Sequence, residues 1–283
     1  MPPGSGALKS SLPIRPETRL MPPVPDLQSR LDTALAIAKA AGDVALRHFN
    51  SALNIITKED ASPVTVADRE TERYIRRRLQ VHFPQDGTYG EEYGASGLDQ
   101  DIVWVIDPID GTRSFIAGVP LFGLLMAMMR DDKALIGICR LPALNQVYAA
   151  ARGLGATLND HPVRTSGQTD LNRAMLFINE GEKIYADHPH LFDRLLGAGA
   201  MRRLSYDCQP HALVAAGQVD AVVDYGLKPY DYLAMVPIVQ EAGGTITDWT
   251  GAPLDFNSDG RVVTAATAEL HTALLDLLDV ARP

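Results

Sequence analysis

From Ile102 onward the chain passes through four short apolar runs, IVWVI, LFGLLMAMM, ALIGIC and VYAAA, each bounded by Gly, Pro or charged residues. Apolar runs of this length between turn formers read as strands. Asp131, Asp132 and Lys133 join the second run to the third, which predicts a hairpin and so an antiparallel component. Helices are expected on either side. Asp26 is placed to cap one reaching about Phe49, along which Leu27, Leu31, Leu35, Ala38 and Ala45 recur near helical spacing. A second should run from about Ala67 to His82, with Tyr74, Ile75 and Leu79 inward and Pro84 as its stop. Further helices are expected at 188–196, 210–217, 229–242 and 268–280, and further strands at VDAVVD, GTITDW and RVVTAA. Elements that alternate in blocks favour a layered α+β or mixed α/β architecture over a barrel.

A chain of 283 residues buries a core without needing disulfides. Cys139 and Cys208, its only cysteines, sit in no metal or redox spacing, so two reduced thiols and a cytoplasmic location are expected. With 35 acidic against 26 basic residues, the net charge of -9 disfavours nucleic acid as a partner. The one basic cluster, at 73–78, falls on an expected helix and reads as a solvated face. Residues 1–25 are rich in Pro and Ser and are read as a disordered tail, without the apolar stretch of a signal peptide or membrane span.

The segment WVIDPIDGTRSF carries the chemistry. A strand delivers Asp107 at its end, and Pro108 and Gly111 force a tight turn that brings Asp110 back to the same point. Glu91 lies upstream in the glycine-flanked GEEYG, and Asp231 falls in the first turn of the helix after VDAVVD. If these four carboxylates met without cations, each like-charge pair at ~4 Å would cost about 4 kcal/mol at an effective dielectric near 20. Divalent ions remove that conflict, and an all-oxygen set selects magnesium or manganese over zinc. A short helix opening after Gly111 and Thr112 would aim free amides at an anion, so phosphoryl chemistry is implied. No Walker-type loop accompanies it.

These residues, with KEDASPVTVAD (58–68), DPIDGT (107–112) and KPYDYLAMVPIVQEAGG (228–244) in order, make the chain resemble the inositol monophosphatase superfamily of magnesium-dependent, lithium-sensitive phosphatases. The likeness covers nearly everything after the tail. It implies an αβαβα layered sandwich, two or three metal ions, direct attack by water and a homodimer. It further implies that Glu91 and Asp107, with the Ile109 carbonyl, hold the ion that activates water. Asp107, Asp110 and Asp231 would hold the ion beside the leaving group. Thr112 and Asp68 would orient the water, and the Gly111 and Thr112 amides would hold the phosphate. An N-terminal half at 26–142 would supply most of these ligands, and a half at 143–283 would complete the site.

Within the superfamily, FIAGVPLFG (115–123), YDC (206–208) and LKPYD (227–231) resemble the histidinol-phosphatase branch, while CRLPALNQ (139–146) lacks the Asp-Gln-Pro of that branch. Histidinol phosphate carries an ammonium and an imidazole, and Asp207 and Asp224 would give that end of the substrate two negative partners. An inositol-1-phosphate or broad sugar-phosphate phosphatase is the alternative on the same scaffold. A binding protein freed from turnover would have no reason to hold these acids together.

Overall fold

The structure, a computed structural model, describes residues 26–51, 56–57 and 63–279. The expected tail at 1–25 and the 58–62 part of the first motif lie outside the described residues.

Asp26 caps the helix Leu27–Leu46 by accepting from the amides of Gln28 and Ser29. The next helix, Val66–His82, begins one residue before the expected Ala67 because Thr65 and Asp68 form a capping box. Both helices cover one face of an eight-stranded sheet. Its order from edge to edge is His161–Pro162, Gly155–Leu158, Gln146–Ala151, Lys133–Leu141, Gly123–Arg130, Val103–Asp110, Gly87–Gly90 and Gly94–Ser96. Every neighbouring pair is antiparallel except Gly87–Gly90 with Val103–Asp110. The expected hairpin is present, and its turn consists of Asp131 and Asp132 at φ 49° and 58°. Positive φ at both positions matches the twist of the strands they join. Three of the strands lie past residue 142, so this sheet spans the 142/143 division.

Successive residues alternate between two apolar surroundings. Trp104, Ile106, Met126 and Ile136 face the two helices, while Val105, Leu125, Cys139 and Tyr148 face a middle layer of helices. Burial on both faces is why these strands read as unbroken apolar runs. The middle layer holds Gln209–Ala215 and Met235–Glu241. Gly137 lets it lie close: a Cβ there would stand 2.0 Å from the Ala234 carbonyl oxygen.

The single helix expected at 229–242 is two, Pro229–Tyr232 and Met235–Glu241. Pro237 cannot donate in a helix interior, and the break at 233–234 puts it in a first turn, where no donor is required.

A second, five-stranded sheet runs Met201–Ser205, Met175–Asn179, Ala221–Asp224, Val262–Ala265, Thr245–Asp248. Helices Gly181–Asp187, Pro189–Gly197 and Ala268–Leu278 bury Ile184, Leu195 and Leu274 against its far side. The layers are therefore α, β, α, β, α, as the motifs implied. Met201–Ser205 was not anticipated, since an edge strand exposed at four of five positions shows no apolar alternation.

Candidate active site

The Val103–Asp110 strand continues through both aspartates, beyond the expected end at Ile106. Asp107 stands opposite Leu125 and Asp110 opposite Gly123, so three steps on one strand match two on its partner. That one extra residue is a β-bulge. In a regular strand, residues an odd number apart point to opposite faces; the bulge cancels that parity and lets both carboxylates face one point. Gly111 then turns the chain at φ 84°, where a Cβ would stand 2.5 Å from the Asp207 carboxyl carbon. The short helix Thr112–Ile116 follows, as expected.

Asp231 arrives from Pro229–Tyr232, oriented by the Lys228 amide, which donates to it at 2.7 Å. Asp107, Asp110 and Asp231 each offer a carboxylate oxygen, all within 4.8 Å of one another. Asp107 also accepts from the Ile109 amide at 3.0 Å, and Asp110 from the Cys208 amide at 2.5 Å. One amide apiece does not offset the repulsion. Burial, followed by Glu91, Asp110 and Asp231, pushes the Asp107 carboxyl well up. Burial, then Asp207 and Asp231, does the same to Asp110. Asp231 is pushed up to about 7, chiefly by burial. Clustered oxygen donors that resist ionisation together, with no His or Cys among them, have the composition of a hard-cation site.

Glu91 lines the same cavity, of about 440 Å³, with Ile109, Gly111 and Thr112. Its turn is fixed by a residue the sequence reading missed. Glu72, fully buried, accepts from the amides of Glu92 at 2.7 Å and Tyr93 at 3.3 Å and pairs with Arg76 at 2.7 Å. Gly90 makes room, since a Cβ there would meet Glu72 Oε1 at 2.1 Å. The available signal was the i,i+4 spacing of Glu72 and Arg76. Arg76 thus leaves the solvated face expected of 73–78, on which Arg73, Arg77 and Arg78 remain.

Thr112 Oγ1 donates toward Asp68 Oδ1 at 3.3 Å and the Ile109 carbonyl at 3.2 Å. Asp68 is held in turn by the Thr65 amide and hydroxyl, at 2.8 and 2.6 Å. Asp207 and Asp224 both line the cavity. Asp207 accepts from Ser114 at 2.5 Å, and burial pushes its carboxyl up to about 6. Asp224 is buried and bonded to Asn179 at 2.7 Å, His211 at 3.0 Å and the Tyr225 amide at 2.8 Å. His211 also bonds Thr264 at 2.8 Å, so it is a structural histidine. Cys139 and Cys208, distant in sequence, are free thiols with sulfurs 3.7 Å apart.

The inositol monophosphatase family matches residues 26–281. The chain belongs to that family. This member is 39% identical over 242 residues to a histidinol-phosphatase of Chlorobaculum parvum, covering 84% of this chain and 91% of that protein. It is 34% identical over 260 residues to the Nus factor SuhB of Pseudomonas aeruginosa, covering 88% of this chain and 95% of that one. An inositol monophosphatase structure from Zymomonas mobilis matches with a TM-score of 0.80 at 34% identity, covering 89% and 98% of the two chains. The family is one of phosphatases. Among the described residues, no helix is long and apolar enough to cross a membrane.

Proposed function

We propose that this phosphatase hydrolyses histidinol phosphate to histidinol and phosphate, with magnesium held by Glu91, Asp107, Asp110, Asp231 and the Ile109 carbonyl. The observation that carries the hydrolytic reading is the convergence of three carboxylates, two from one strand and one from the helical layer, within 4.8 Å. When bound there, two or three magnesium ions, or manganese in their place, would lower the pKa of a water and offset charge growing on the leaving oxygen.

The chain's own residues supply the rest. The Thr112 hydroxyl, within reach of Asp68 at 3.3 Å and the Ile109 carbonyl at 3.2 Å, would orient the attacking water. With two acceptors on the protein for its one proton, its lone pairs are left to receive a hydrogen bond from that water. Gly111 and Thr112 line the cavity at a helix start, and their amides would suit a phosphate oxygen. The acidic wall formed by Asp207 and Asp224 favours a cationic alcohol over a neutral polyol, which is what separates histidinol phosphate from inositol phosphate.

The test is phosphate release from the two esters in parallel, with and without magnesium. Histidinol phosphate is expected to have the higher kcat/KM by about tenfold or more, from the gain of one charge-assisted contact; chelation should abolish both activities. A higher kcat/KM for inositol 1-phosphate would reverse the substrate choice.

A homodimer is the expected assembly, supported by the Met201–Ser205 edge strand, where Met201 and Leu204 are exposed beside unpaired backbone. Light scattering should give twice the chain mass of 30.7 kDa; a monomer at micromolar concentration would refute it.

A further inference from the structure

Beside the three clustered aspartates the cavity is lined by four further carboxylates, Glu180, Glu182, Asp207 and Asp224. Three are tied within the fold. Asp224 is held by Asn179, His211 and the Tyr225 amide, Asp207 accepts from Ser114, and Glu182 is hydrogen-bonded to Tyr206. Glu180 is different. Its side chain is 16% exposed, and its partner is the ammonium of Lys183, at 2.6 Å, on a lysine side chain that is 44% exposed.

Lys183 has somewhere else to go. It lines the substrate cavity, and it also lines an adjoining hollow of about 570 Å³ with Asp187, Tyr225, Gly226, Asp259 and Arg261. The boundary between the two is thin, because Gly226 has no side chain: a Cβ there would lie 3.5 Å from Lys183 Cδ and 3.8 Å from its Nζ. A lysine stem has several rotatable bonds, and a half-exposed ammonium is held to its partner only weakly. In that hollow Asp259 is already paired with Arg261, whereas Asp187 accepts a hydrogen bond from the neutral Tyr225 hydroxyl at 2.9 Å and is the carboxylate that would receive the displaced ammonium.

We infer that Glu180 is a specificity-determining residue that receives the ammonium of a cationic leaving group, and that Lys183 occupies its place until such a substrate displaces it. This rests on the phosphatase reading and on its choice of an amine-bearing ester. The exchange replaces one ammonium by another, so the charge of the wall is unchanged. A neutral alcohol cannot make it. It would leave Lys183 in place and lose the space that the lysine stem fills.

The experiment compares kcat/KM for histidinol phosphate with kcat/KM for glycerol 2-phosphate, in magnesium, and reads the ratio. Glu180→Gln should lower the ratio about tenfold, mainly through KM for histidinol phosphate. Lys183→Met keeps the apolar stem, removes the competitor and should raise the ratio about threefold. Both variants break the same ion pair, so a merely structural pair would shift the ratio in one direction in both. A ratio that falls or stays constant in both variants, while the wild type prefers histidinol phosphate, overturns the inference alone. A wild-type ratio at or below one overturns the choice of substrate and the inference together.

Discussion

Replacing Asp110 by Asn is expected to lower kcat for phosphate release by at least about a thousandfold, and to make the cation-free protein more stable. The two effects have one cause. Asp110 contributes a negative oxygen to a cluster spanning 4.8 Å, and an amide oxygen is a much poorer ligand for a hard cation. A thousandfold corresponds to about 4 kcal/mol of lost transition-state stabilisation. Without a cation the same carboxylate is a liability, pushed well up by burial and by Asp207 and Asp231. Asn keeps the shape, and its amide oxygen still accepts from the Cys208 N–H. The gain in the cation-free state should be about 1–3 kcal/mol at pH 8. The checks are steady-state kinetics and urea unfolding in chelator. A variant that turns over near the wild-type rate would remove Asp110 from the site; one that unfolds earlier in urea would contradict the electrostatic account.

The second large effect is on stability against pH. Asp231 titrates at about 7 and Asp207 at about 6 in the fold, against 3.8 for an unperturbed aspartate. A carboxyl raised in this way binds its proton more tightly in the folded chain than in the unfolded one. Between roughly pH 4 and 7 the folded state therefore holds more protons, and raising the pH through that window removes stability. For Asp231 alone the loss by pH 8 is on the order of 4 kcal/mol, or about 10 °C in Tm. Magnesium should abolish most of the slope, because a cation favours the ionised form. Thermal unfolding in chelator should thus give a Tm that falls steadily from pH 5 to pH 8, with the largest magnesium-induced rise at pH 8. A flat profile in chelator, or a magnesium effect no larger at pH 8 than at pH 5, would remove the basis for a cation site.

The layers and the Asp107–Asp110 pair were legible in the sequence because both are written locally, whereas Asp231 was joined to that pair at one ion through the resemblance. The strands of the large sheet are apolar on both faces, so they stand out as runs. Asp107 and Asp110 sit three residues apart in one segment, and the capping residue Asp26 and the first-turn Pro229 mark the starts of their helices. What was not legible depends on contacts across the fold. The bulge between Asp107 and Asp110 is defined only by the register with Leu125 and Gly123. Glu72 gains its role from a turn 20 residues away, while the i,i+4 spacing to Arg76 signals a pair and not that turn. The split of the 229–242 helix was a missed local signal, since Pro237 stood in plain view. Asp224, expected to give the substrate a negative partner, lines the cavity with both oxygens held by Asn179, His211 and the Tyr225 amide, contacts that only the fold brings to it.

Asp107 and Asp110 ride on the large sheet, whereas Asp231 rides on the helical layer wedged between the two sheets. Neither segment can assemble the ligand set by itself. An ion seated among the three acts as a clasp between strata of the sandwich, and a small slippage between them weakens its grip before any strand or helix melts.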